Sequence, residues 1–184
     1  MRKFVQTALT ATAILIVTAA MGIWGPAQAQ AHSTVSCAVT WGSLPKAGPV
    51  MTTAEISDVR AGRNACFDRL VVDVDGNVAR AYDVRYVPAV AFDGSGDVVP
   101  LRGGAFLQVL VKAPVTPTDS LFVSPGNLVD VSSYRTFRQV GWAGSFEGQT
   151  TIGLGVRARL PFRAFVLPGP GSGSRLVVDV AHRW

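Results

Sequence analysis

The hexapeptide RLVVDV occurs twice in this chain of 184 residues, at Arg69–Val74 and again at Arg175–Val180. Leucine and valine favour a pleated surface, where branched side chains pack against their neighbours, so each copy reads as a strand. A side-chain period of two puts Leu70, Val72 and Val74 on one face, and Arg69, Val71 and Asp73 on the other. The second copy sorts identically, with Leu176, Val178 and Val180 opposite Arg175, Val177 and Asp179. A strand that opens a domain and recurs to close it points to two equivalent positions in a β-sandwich.

The rest of the chain follows the same grammar. Strand-like runs cover 55–61, 67–74, 81–87, 106–112, 134–140, 150–157, 162–167 and 175–182. Between them, Asp75-Gly76-Asn77, Asp93-Gly94-Ser95-Gly96 and Pro125-Gly126-Asn127 supply residues that tolerate a positive φ. A further short strand is expected near Ala38–Trp41, and Thr52–Val59 is compatible with a short helix. Segments 113–119 and 121–130 read as a long surface connection with room for a helical turn. No stretch keeps helical periodicity for three turns. The pattern predicts one all-β domain, a sandwich of two small antiparallel sheets, with a closed β-barrel as the alternative.

The first residues stand apart from this pattern. Arg2 and Lys3 precede an apolar run from about Ala8 to Ile23, and both Ala27-Gln28-Ala29 and Ala29-Gln30-Ala31 fit the small-x-small cleavage rule. The apolar run is short for a membrane span and is diluted by Thr10, Thr12 and Thr18. Residues 1–31 are therefore expected to be a signal peptide. Residues 32–54 follow as an arm and 55–184 as the sandwich, with no transmembrane segment after cleavage. Export to the envelope or the medium also explains the cysteines. An oxidising compartment favours joining Cys37 to Cys66, which would tie the arm to the strand entering the first hexapeptide.

The chain holds 17 basic and 12 acidic residues, and the leader takes Arg2 and Lys3 with it. What remains is mildly basic and almost wholly arginine, Lys46 and Lys112 being the only other lysines. Read along the strands, these charges are scattered, so no nucleic-acid footprint is indicated.

Catalysis finds little support. His32 lies in the arm, and His182 shares the parity of Leu176, Val178 and Val180, which suits a half-buried histidine bonded to backbone. No GxSxG elbow accompanies them. Neither CxxC nor HExxH spacing occurs, so no metal is expected. Asp93 to Asp97 offers oxygen ligands but lacks the glutamate that completes a calcium loop, and reads as a turn. Glu55 and Glu147 are the only glutamates, with Glu147 the more suggestive because Gly144 and Gly148 lie around it. No catalytic residue, cofactor or enzymatic activity is expected.

Several motifs resemble the AMIN-like domain of secreted actinobacterial envelope proteins. They are WGS at Trp41–Ser43, VRAGRNACFDRLVVDV at Val59–Val74, VRYV at Val84–Val87, GSFEGQTTIGLGVR at Gly144–Arg157, PFRAF at Pro161–Phe165 and RLVVDVAHRW at Arg175–Trp184. That family is similar in turn to the AMIN domain of cell-wall amidases, with one expected departure: no catalytic domain is expected after Trp184. The resemblance implies a two-sheet sandwich and non-catalytic attachment to peptidoglycan or another cell-wall glycan.

Such ligands are held by aromatic faces and planar donors, and arginine forks match carboxylates. Trp41, Trp142, Trp184, Tyr82, Tyr86 and Tyr134 are available, although Tyr82 and Tyr86 share the inward parity of Val84. The outward row Arg69, Asp73, Arg85, Arg175 and Asp179 is the expected ligand-facing set. Two alternatives differ in class. One is an envelope protein that recruits another protein through a sheet edge. The other is a small-molecule carrier built as a barrel.

Overall fold

The two RLVVDV copies lie side by side and pair with each other. They form the centres of β3 (Phe67–Val74) and β9 (Ser174–Ala181), which run antiparallel with Arg69 opposite Asp179, Val71 opposite Val177 and Asp73 opposite Arg175. The pairing is self-complementary about its third residue, so the arginine of each copy faces the aspartate of the other. The repeat thus marks a local two-fold relation within one sheet.

The computed structural model describes residues 36–48, 54–76, 81–115, 126–169 and 171–184. The expected leader, His32 and both cleavage sites lie outside them. The other strands are β1 (Lys46–Ala47), β2 (Ile56–Arg63), β4 (Tyr82–Val87), β5 (Ala105–Val111), β6 (Phe137–Phe146), β7 (Gln149–Val156) and β8 (Phe162–Pro168). They make a four-stranded sheet ordered β2-β3-β9-β8 and a five-stranded sheet ordered β1-β4-β5-β7-β6, antiparallel throughout. The sandwich holds, and the barrel alternative does not, because the two sheets do not close on each other. The carrier built on that barrel loses its architecture.

Alternation decides which side chains meet between the sheets. Leu70, Val72, Leu176 and Val178 are fully buried against Leu107, Val109, Ile152 and Leu154, with Phe137 and Phe162 filling the ends. Tyr82 and Tyr86 also face this core, and their phenols donate to the Ala164 carbonyl of the opposite sheet and to the Leu160 carbonyl in the loop entering β8. Cys37 is bonded to Cys66, tying the arm to the entry of β3. In the loop-entropy picture a loop of that size contributes about 3–4 kcal/mol.

One expectation in the arm gives way. Ala38–Trp41 has no regular structure, and the arm instead adds the two-residue β1 beside β4. The strand run read at 55–61 is present as β2 from Ile56 onward, so the short helix that Thr52–Val59 could also have formed is absent from its described part, 52 and 53 being outside the described residues. Residues 116–125 are also outside them, and 113–115 contain no helical turn.

The outward face of β7 departs further. Thr151, Gly153 and Gly155 alternate with the core residues Ile152, Leu154 and Val156, yet all three are buried beneath the excursion 88–104. Val90, Val99 and Ala143 form a second small core there, with Phe92, Leu101 and Phe106 around it. The glycines make this possible. A Cβ on Gly153 would come within 2.5 Å of Leu101 Cδ1, and one on Gly155 would overlap the Arg102 carbonyl oxygen.

Candidate functional site

The register of the four-stranded sheet sets side chains in rows across its outer face. One row is Gly62, Arg69, Asp179 and Arg163, the next Arg60, Val71, Val177 and Phe165, and the third Asp58, Asp73, Arg175 and Leu167. Four of the five residues expected to face a ligand are therefore neighbours. Arg85 is not among them. It lies on β4 in the other sheet, exposed, and its guanidinium grips Asp83 two residues earlier.

Outward parity did not leave the aspartates in water. Asp179 is 0 % exposed, because Arg69 and Arg163 fold over it from the strands on either side. Arg69 Nε and Nη2 donate to its two oxygens at 2.6 and 2.9 Å, and Arg163 Nε donates at 2.8 Å. The hydrogen bond to Asp179 holds the Arg69 guanidinium above its ordinary range, against the desolvation that burial imposes. At the other end of the two-fold relation the symmetry breaks. Asp73 is held by Arg60 of β2, through Nε at 2.6 Å and Nη2 at 2.8 Å, and the same bond raises Arg60. Arg175, directly opposite Asp73, donates instead from Nη2 to the Pro168 carbonyl, and its buried Nε has no hydrogen-bond partner.

Aromatic rings frame this face. The Arg163 guanidinium lies 4.3 Å from the Trp41 ring centre, 5.0 Å from Phe165 and 5.5 Å from Phe67. Arg69 sits 5.2 Å from Phe67 and 5.7 Å from Phe165. Trp41 meets Phe67 edge to face at 5.6 Å. Cations over ring faces at these distances are attracted by the ring quadrupole. The result is a half-buried lattice of guanidinium and aromatic planes pinned from below by one carboxylate. Trp142 and Tyr134 pack against the core, and Trp184 is exposed with its indole N–H on the Arg159 carbonyl.

The residues weighed for catalysis have structural partners. His182 has both ring nitrogens occupied, Nδ1 by the Ala65 carbonyl at 3.2 Å and Nε2 by Asp68 at 3.1 Å. Asp68 is itself buried and accepts the backbone N–H groups of Thr136 and Phe137 at 2.5 and 3.1 Å. Glu147 occupies the β6–β7 turn with φ of 52°, beside Gly148 at 75°. The positive pair is what a tight hairpin demands, so Glu147 is a turn residue. In the Asp93–Asp97 loop, Gly96 N–H returns to the Phe92 carbonyl and Asp97 N–H donates to Ser95, while Asp93 accepts from Thr151. Among the described residues no group of three or more metal-ligating side chains converges.

Arg60, Arg163, Phe67 and Phe165 belong to this face and were not singled out from the sequence. Arg163 and Phe165 stand in the motif PFRAF, but their place depends on β8 pairing with β9, which no local pattern specifies. Among the described residues no helix is long and apolar enough to cross a membrane. No curated protein and no solved structure matches the chain. A family model for the AMIN-like domain matches residues 54–182, from just before β2 to just after β9, and the chain belongs to the AMIN-like domain family.

Proposed function

We propose that this protein is an exported, non-catalytic module that holds peptidoglycan or another cell-wall polymer on the outer face of its four-stranded sheet. The AMIN-like family is one of cell-wall-related, non-catalytic domains, which supports the general reading. The observation that carries the placement is the guanidinium–aromatic lattice of Trp41, Phe67, Phe165, Arg69 and Arg163 over buried Asp179. Its side chains are locked before any ligand arrives, so little rotamer freedom is lost on binding.

The mode of binding follows from which donors are engaged. Arg69, Arg60 and Arg163 already hold carboxylates of the protein, so their forks are not open to carboxylates of a polymer. The face suits sugar rings and amide groups instead, stacked against aromatic and guanidinium planes. Binding here should respond weakly to salt, since it depends little on unpaired charge. Co-sedimentation with purified insoluble cell wall tests the reading. Wild type should pellet with the wall, and Trp41→Ala with Phe165→Ala should remain soluble while folded. Equal pelleting of the two would place the binding surface elsewhere.

A further inference from the structure

The arginines that look scattered along the sequence are gathered by the fold at one end of the sandwich. Arg63 closes β2, Arg183 follows β9, and Arg135 lies in the loop entering β6; the pairing of Phe67 with Ala181 brings the first two to the same end. Arg63 and Arg135 line a cleft of about 350 Å³ with Asn64 and Ser133. Arg135 and Arg183 line a second of about 400 Å³ with His182, and the two clefts share Ala65 and Arg135. All three arginines are exposed, and none makes an ion pair among the described residues.

What surrounds them leaves that charge uncompensated. Asp68 is the carboxylate in the first cleft, and it is turned inward onto His182 and the amides of Thr136 and Phe137. Asp130, on the same loop, accepts from Ser132 N–H at 2.9 Å. Arg102 and Arg138 line a further cleft with Ser132 and Tyr134 of the same loop, adding positive charge. The acidic cleft of Asp58, Asp73 and Asp75 lies at the opposite end of β2 and β3. Asp68 also builds the site, because it fixes the residue after Arg135 and the residue before Arg183 with a single buried carboxylate.

We infer that these adjoining clefts form a second binding site, for oxyanion groups repeated along a flexible chain. Three unpaired guanidinium forks each match a carboxylate or a phosphate with two parallel hydrogen bonds. Two clefts sharing one arginine suit successive anionic groups better than a lone ion. The site is separate from the sheet face and does not rest on the reading proposed for it.

Binding of fluorescently labelled inorganic polyphosphate and of labelled poly-glutamate to the intact chain tests the inference. Wild type should bind at least one probe at low salt, the tighter one naming phosphate or carboxylate as the source. Arg63→Gln, Arg135→Gln and Arg183→Gln together should weaken binding about tenfold or more. Because none of the three is paired, thermal unfolding of that variant should match wild type. Arg85→Gln with Lys112→Gln, on the other sheet, should leave binding unchanged. Equal binding of both probes by wild type and the triple variant would overturn the site. Tighter binding of duplex DNA than of either probe would overturn the assignment to a flexible chain.

Discussion

Arg69 of the first hexapeptide clasps Asp179 of the second through two hydrogen bonds of 2.6 and 2.9 Å, with the carboxylate completely buried. The symmetry-related pair, Asp73 and Arg175, makes no such clasp, and Asp73 turns to Arg60. Exposed ion pairs are worth little, whereas removing one partner of a buried pair strands the other. Asp179→Ala leaves both Arg69 and Arg163 over an emptied site and is expected to cost about 2–4 kcal/mol. Asp73→Ala leaves only Arg60, which is half-exposed and readily rehydrated, and is expected to cost about 1 kcal/mol or less. Urea unfolding midpoints compare the two directly, and equal losses would mean that burial of Asp179 is energetically unimportant.

Gly155 is expected to tolerate no side chain. A Cβ there meets the Arg102 backbone carbonyl, which cannot rotate away as a side chain would. Gly155→Ala should lift the 100–104 segment from β7 and destabilise the domain by about 1–3 kcal/mol. Gly42→Ala, where an added Cβ meets nothing within 4 Å, provides the control and should be close to neutral. Amide hydrogen exchange should show the added opening confined to 88–104 and its contacts.

All three tyrosines of the chain should ionise late. Burial pushes the Tyr82, Tyr86 and Tyr134 phenols above their ordinary value of 10.0; at Tyr86 the Leu160 backbone and Arg159 partly oppose this. At Tyr134, nearby Asp68 adds to the rise and Arg63 opposes it. A phenol that resists ionisation only when folded contributes stability that is complete below the unfolded value and is lost as pH rises through the folded one. Tyrosinate absorbance of the native protein should therefore rise later than that of protein unfolded in guanidinium, and stability should fall above pH 10. Coincident titration curves would contradict the placement of these rings.

Much of the sandwich is legible in the sequence because each strand alternates cleanly. Leu70, Val72, Leu176 and Val178 face the core as their parity requires, and Tyr82 and Tyr86 follow Val84 inward. Parity failed where a second layer covers the outer face. Thr151, Gly153 and Gly155 alternate with the core residues Ile152, Leu154 and Val156, and only the path of 88–104 buries them. The same limit applies to the candidate site. Alternation places Arg69, Asp73, Arg175 and Asp179 outward but says nothing of which strands neighbour each other. The partners Arg60 and Arg163, the remote position of Arg85 and the grouping of Arg63, Arg135 and Arg183 all depend on strand order. The matching hexapeptides came nearest to revealing that order, since an arginine and an aspartate four residues apart let two copies pair antiparallel with opposite charges aligned.

The most direct measurement is the map of backbone amide shifts when soluble peptidoglycan fragments are titrated into isotopically labelled protein. Amides of Trp41, Phe67, Arg69, Arg163, Phe165 and Arg175 should move together and saturate with one affinity, nearly unchanged by added salt. Amides of Arg85 and Gln108 on the five-stranded sheet should stay still. Shifts confined to the five-stranded sheet, or none at any fragment concentration, would contradict a polymer-binding role for the outer face of the four-stranded sheet.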